Sequence, residues 1–247
     1  MLRAILFDLD DTLYRERDFV ASGFDAVAAS AAETLGVEPQ RVRDALERAL
    51  ATHGRGHTID RALASLGIEP ARVAQVVPSL VHVYRSHRPR LQLLPDAARC
   101  LDALERAGLA MGLVTDGDPS VQRRKVDALG LHGRFVVERY TWDAGAALQK
   151  PHASAFEPAI EALARRGLHP DETLYVGDNP TKDFVGARAL GLRTLRVLRG
   201  PHAETAVPER LEADEVVDTL DAVSRRVQAA GRLDASEASA RATRTAP

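Results

Sequence analysis

Leu2-Arg3-Ala4-Ile5-Leu6-Phe7-Asp8-Leu9-Asp10-Asp11-Thr12-Leu13 is the stretch on which the fold turns. Residues 3–7 are a short apolar run stopped by acids, the pattern of a buried strand. Residues two apart on an extended segment point to one side, so Asp8 and Asp10 bring two carboxyl groups into one small volume. Close carboxylates repel, and the pair is costly unless a cation joins them or one takes a proton. A lone Asp-x-Asp reads more readily as a solvated acidic turn, with Asp11 or Thr12 capping the next helix. The rest of the chain decides between the two.

From about residue 15 to 90 the character is helical throughout. Phe19, Gly23, Val27 and Ala31 recur at four-residue spacing, and further helices are expected over 40–51, 59–66 and 71–87. Pro78 should kink the last of these. Between them His53-Gly54-Arg55-Gly56-His57 is a polar loop. From Leu94 the pattern changes. Helices over 96–107, 120–129, 154–166 and 181–190 each end at a glycine, which supplies the left-handed cap. They alternate with short apolar runs at 110–114, 135–137, 173–176 and 192–198. Such alternation predicts an α/β fold with a parallel sheet covered by helices on both faces. The expected organisation is a core from 1–14 and 94–230, an inserted all-helical cap over 15–93, and a disordered tail over 231–247 that lacks apolar periodicity.

Composition narrows the function. Of 247 residues, 45% are hydrophobic and 28% charged, an ordinary globular mix. Thirty-three basic residues face 35 acidic ones, so a polyanion or an anionic membrane is not an expected partner. No run of 18 apolar residues could cross a bilayer. The first apolar stretch meets Asp8 without a cleavage site, so it does not read as a secretory signal. Cys100, the single cysteine, has no partner for an internal disulfide. Cytoplasmic residence is the expectation. Among the 33 basic residues only Lys125, Lys150 and Lys182 are lysines. Genomic bias toward arginine explains the ratio, and it singles out each remaining lysine for a role that arginine cannot fill.

Three further segments fall where a parallel sheet puts ligands, beyond the carboxyl ends of its strands. Val114-Thr115-Asp116-Gly117 ends one strand with a hydroxyl and a turn, Asp118 or Ser120 capping the helix after it. Lys150-Pro151 precedes a helix. Gly177-Asp178-Asn179-Pro180-Thr181-Lys182-Asp183 follows another strand and sets two acids five residues apart. Each alone is a turn, a cap or a surface lysine; all four segments, in order and at strand ends, are not accidental. Asp8, Asp10, Asp178 and Asp183 would bring about four negative charges to one cleft, and a phosphate monoester roughly two more. One lysine does not balance that, and an all-oxygen set calls for Mg²⁺. His53, His57, His82 and His87 have no metal-binding spacing.

Together Asp8-x-Asp10-x-Thr12, Thr115, Lys150 and Gly177-Asp178…Asp183 make the chain resemble the haloacid dehalogenase-like hydrolase superfamily from about Leu2 to Leu220. The closest likeness is to its phosphatases with a helical cap inserted after the first strand of a Rossmann-like core. Position 11 is Asp where Gly is frequent in the family, and position 116 is Asp where Asn is frequent. The resemblance implies phosphoryl transfer in two steps. Asp8 is the nucleophile. Asp10, its pKa raised by burial and neighbouring charge, is first acid and then base. It further implies Mg²⁺ on the Asp8 carboxylate, the Asp10 carbonyl and Asp178. Thr115, Lys150 and the backbone of Asp116 and Gly117 bind phosphate, the Asp116 side chain turning away, and Asp183 orients Lys150 or a metal-bound water. The expected partner is a small phosphorylated metabolite, with Arg15, Arg17 and His57 as candidate specificity residues of the cap. Rival readings are a sugar phosphomutase, a dehalogenase, which would usually lack the acid at Asp10, and a phospho-accepting receiver-like signalling domain, which has about half this length and no helical insert.

Overall fold

A computed structural model describes residues 1–145 and 148–226; the expected tail at 231–247 lies outside the described residues. The chain divides into two compact units. One comprises Met1–Glu16 with the chain from Gln92 on, the other Arg17–Leu91.

The first unit is built on six parallel strands: β1 (Ala4–Phe7), β2 (Ala110–Thr115), β3 (Val137–Tyr140), β4 (Thr173–Gly177), β5 (Arg193–Val197) and β6 (Glu215–Val217). Their spatial order is β3-β2-β1-β4-β5-β6. β1 is wholly buried, as its unbroken AILF requires in a strand covered on both faces. It pairs with β2 on one side and β4 on the other, so the order reverses at β1 and opens a crevice beyond its carboxyl end. Asp8 is the first residue into that crevice, and its N–H still bonds Val176 of β4 at 2.9 Å. Between the strands run α5 (Pro95–Arg106), α6 (Pro119–Ala128), α7 (Glu157–Ala164) and α8 (Val185–Ala189). The chain leaves this unit after Glu16 and re-enters at Gln92; the Leu94 N–H bonds the Leu13 carbonyl at 2.9 Å.

The second unit holds α1 (Glu16–Leu35), α2 (Pro39–His53), α3 (Thr58–Ser65) and α4 (Pro70–Ser86). They close on an aliphatic core that includes Val27, Ala31, Val42, Leu46, Leu63 and Leu80. α4 continues through Pro78 as one helix. Pro78 and Ala74 are both exposed, so the Ala74 carbonyl that the ring leaves without its helical donor lies on the solvent side.

Two expectations need correction, and one strand was not foreseen. The strand foreseen at 135–137 is β3, displaced to Val137–Tyr140; it is an edge strand and takes the polar Glu138 and Arg139. The helix foreseen from 181 begins only at Val185, because Asn179 Oδ1 accepts from Thr181 N (3.0 Å) and Oγ1 (2.7 Å) and holds a turn. β6, three residues with an exposed glutamate, carried no apolar run to reveal it.

Gly186 on α8 shows how tightly the sheet's top is built. A Cβ there would lie 2.4 Å from the Pro151 carbonyl oxygen and 3.0 Å from the Phe156 ring. Gly186→Ala must therefore push α8 and the Lys150–Pro151 segment apart. Thermal unfolding should show a loss of several °C, on the order of 1–3 kcal/mol for an overpacked core. An unchanged Tm would show that this contact relaxes without strain.

Candidate active site

Three lysines organise the crevice, each on different acids. Lys150 Nζ lies 2.5 Å from Asp8 Oδ1, 2.7 Å from Asp183 Oδ1 and 3.0 Å from the Tyr175 hydroxyl, all of them buried. Its three hydrogens thus meet three acceptors. Tyr175 in turn donates to Asp183 at 3.0 Å, and Asp183 Oδ2 accepts the Asn179 N–H at 2.9 Å. Asp183 thus contacts Lys150 directly. Gly177 makes room for this: a Cβ there would stand 2.4 Å from Asp183 Oδ2.

Lys125, on α6, reaches Asp10 at 2.7 Å (Oδ1) and 2.9 Å (Oδ2). Gln122 Nε2 donates to Asp10 Oδ2 at 3.0 Å and to Thr115 Oγ1 at 2.7 Å, and the Tyr14 hydroxyl donates to Asp10 Oδ1. The start of α6 is fixed by Asp118, which accepts the N–H of Ser120 at 2.8 Å. Lys182, half exposed, lies 3.6 Å from Asp116 Oδ2. Asp116 Oδ1 accepts from Thr141 Oγ1 (2.7 Å) and from the Lys150 N–H (3.2 Å), so its side chain is engaged with protein groups.

The electrostatics overturn one expectation. Burial alone would raise the Asp10 pKa, but the charge of Lys125 and the hydrogen bonds from Lys125, Tyr14 and Gln122 outweigh it, and the carboxyl is held below its usual value. The charge count also changes: five carboxyl groups (Asp8, Asp10, Asp116, Asp178, Asp183) face three ammonium groups, where one lysine was expected. Burial, with Asp183 and Asp10 nearby, pushes Asp8 up to about 7 against the pull of Lys150. Burial, Asp183 and Asp8 push Asp178 up to about 9. For Lys150 burial opposes the charge, but Asp183 and Asp8 keep its ammonium well above the usual lysine range.

Asp178 accepts from Thr12 Oγ1 at 3.4 Å and, among the described residues, has no ammonium or guanidinium within ion-pair reach. Two buried carboxyls that resist ionisation, Asp8 and Asp178, are a donor set suited to a small hard divalent cation. Among the described residues no cluster of three His, Cys, Asp or Glu side chains forms a cage of its own. His87, one of the cap histidines, bonds Ser22 at 2.9 Å and the Tyr84 carbonyl at 2.6 Å, a packing role.

The structure brings together Asp8, Asp10, Thr115, Asp116, Lys150, Asp178 and Asp183, with Gly117 in the turn after β2. Arg15 and Arg17 are exposed, and Arg17 lies 3.9 Å from Asp18. His57 caps α3 in the left-handed conformation and lines a cavity of about 290 Å³ within the helical unit, with Phe24, Arg55 and Tyr84. Sequence reasoning missed Tyr14, Gln122 and Tyr175. It pointed at Lys125 only through the scarcity of lysine.

A model of haloacid dehalogenase-like hydrolases matches residues 2–191. The chain belongs to that family. Within this hydrolase family, the glyceraldehyde 3-phosphate phosphatase of Methanocaldococcus jannaschii is 31% identical over 222 residues, 88% of this chain and 92% of the relative. The phosphoserine phosphatase of Thermus thermophilus is 33% identical over 196 residues, 78% of this chain and 74% of the relative. A crystal structure of a HAD phosphatase from Thermococcus onnurineus superposes with a TM-score of 0.59 at 23% identity, covering 92% of this chain and 98% of the other. This HAD-like hydrolase is a phosphoric monoester hydrolase. No helix among its described residues is long and apolar enough to cross a membrane.

Asp178 offers a test of these electrostatics without substrate. Its folded pKa lies above that of a free aspartate, so the fold favours the neutral form. The penalty is absent below the ordinary value and grows as pH rises toward about 9. EDTA-treated protein carrying Asp178→Asn should melt a few °C higher than wild type at pH 8, with a smaller gain at pH 5. Equal shifts at both pH values would show that Asp178 ionises normally.

Proposed function

We propose that this hydrolase is a Mg²⁺-dependent phosphomonoesterase that cleaves a small phosphorylated metabolite through an aspartyl-phosphate on Asp8. One observation carries the reading. A single strand end presents two carboxyl groups, and each is held by its own lysine, Asp8 by Lys150 and Asp10 by Lys125.

In the first step an Asp8 oxygen attacks phosphorus, and the bond to the ester oxygen breaks. Asp10 gives its proton to the departing oxygen. The carboxylate as it stands is the base form, and the negative charge of an arriving phosphate monoester favours uptake of the proton it needs. In the second step Asp10 takes a proton from water, which attacks phosphorus and releases phosphate from Asp8. Asp10 ends protonated, as it began. Lys150 and Thr115, with the backbone N–H groups of Asp116 and Gly117, hold the oxygens that do not transfer. Mg²⁺ would be held by Asp8, Asp178 and the Asp10 carbonyl, where it supplies charge neutralisation between carboxylates and phosphate. The acid at Asp10 argues against dehalogenation. The names of the two curated relatives, both acting on phosphorylated three-carbon compounds, support a small phosphorylated sugar or organic acid as substrate. Arg15, Arg17 and His57 are the proposed specificity residues, and the cytoplasm is the proposed compartment.

Phosphate release from an aryl phosphate should vanish in EDTA and return with Mg²⁺. Asp8→Asn should abolish turnover while the circular dichroism spectrum is retained. Activity in EDTA equal to that in Mg²⁺ would refute the metal requirement, and near-normal turnover by Asp8→Asn would refute covalent catalysis. Lys150→Arg should lose at least about tenfold in kcat, because a planar fork cannot meet Asp8, Asp183 and Tyr175 together; unchanged kcat and KM would refute that.

A further inference from the structure

We propose that Lys125 is a positioning residue for Asp10, acting with Gln122 and Tyr14 as a clamp that fixes the carboxylate against the reacting centre. The inference rests on the reading of Asp10 as acid and base, and it goes beyond that reading by assigning the group that aims it.

The geometry carries it. A carboxylate offers about four lone-pair directions. Here Oδ1 accepts from Tyr14 and Lys125, and Oδ2 from Lys125 and Gln122, so four contacts occupy both oxygens. The donors come from two separate elements. Tyr14 lies four residues beyond Asp10, on the same loop, and is joined to it by an isolated backbone bridge. Gln122 and Lys125 are three apart on α6, hence on one face of it. That helix is itself pinned by Asp118 at its start. Gln122 also holds Thr115, so one side chain sets the spacing between the proposed phosphate-binding hydroxyl and the proposed acid.

Stability does not account for Lys125. Its side chain is only 5% exposed, and a buried ion pair is commonly no better than an apolar pair of the same volume. Its placement does have a chemical use. The ammonium straddles both oxygens at 2.7 and 2.9 Å. With Tyr14 and Gln122 on the same two oxygens, this contact holds the carboxylate against rotation about its own side-chain bonds.

Pre-steady-state kinetics of Lys125→Met in Mg²⁺ test this with two substrates. 2,4-Dinitrophenyl phosphate needs no proton on its leaving group, and an alkyl phosphate such as 2-glycerophosphate does. The dinitrophenolate burst should stay within about threefold of wild type. Turnover of the alkyl ester should fall about 100-fold, and phosphoenzyme should accumulate on rapid quench because water is no longer deprotonated efficiently. Tyr14→Phe, which removes one donor to Asp10 and no charge, should show the same split at smaller size and covers the case in which Lys125→Met folds poorly. Equal losses in the dinitrophenolate burst and in alkyl-ester turnover in Tyr14→Phe, or no loss in Lys125→Met, would overturn the positioning role. A wild-type enzyme with no burst and no trapped phosphoenzyme would instead overturn the underlying reading of Asp8 and Asp10, and the clamp with it.

Discussion

Five carboxyl groups at one end of a parallel sheet repel one another, and their burial strengthens the repulsion. Everything at the top of this sheet answers that constraint. Lys150 answers it for Asp8 and Asp183, at 2.5 and 2.7 Å, from a segment that α8 can approach only because Gly186 has no side chain. Lys125 answers it for Asp10, from a helix whose start Asp118 caps. Asp178 is left with a hydroxyl and no ammonium among the described residues, and its carboxyl resists ionisation. The protein's own charges therefore stop short of neutrality at the place where a divalent cation and a phosphate would meet.

The loop after β1 shows how the backbone is made to hold this arrangement. Asp11 takes a positive φ of 53°, and its carboxylate accepts the Glu16 N–H at 3.0 Å at the start of α1. Arg199, beyond β5, donates to the Thr12 carbonyl at 3.0 Å and pairs with Asp96 at the start of α5. Asp96 in turn accepts the Leu220 N–H at 2.8 Å. The acidic turn and the helix cap, weighed at first as an alternative to chemistry, are both present. Asp11 caps, which leaves Asp8 and Asp10 to face the crevice.

Much of this was legible in the sequence because the signals were local. AILF before an acid, glycines after helices and the four spaced segments are properties of short windows, and they point to the parallel sheet and to Asp8, Thr115, Lys150 and Asp178 in one crevice. What was hidden depends on distance in space. Lys125 and Asp10 are 115 residues apart, and no periodicity on α6 announces that its Gln122–Lys125 face meets the first loop. The expectation that burial and neighbouring charge raise the Asp10 pKa has no local sign of the Lys125 ammonium, which lowers it. Tyr175 was hidden in the same way: in a buried strand it reads as core, and only its hydroxyl, between Lys150 and Asp183, sets it apart.

The retention of three lysines in a chain with 30 arginines now has a physical account. An ammonium is a compact centre whose three hydrogens can point to three acceptors from different elements. Lys150 uses that geometry fully, on two carboxylates and a phenol that do not share a plane of approach from one residue. Lys125 straddles both oxygens of Asp10 from a single nitrogen. A guanidinium spreads its donors over a fixed planar fork, as Arg99 shows on Asp221 at 3.0 and 2.7 Å on the surface. Genomic bias toward arginine can act wherever a fork serves. Lys150 and Lys125 lie on buried site acids, where a compact point charge meets several acceptor atoms at once.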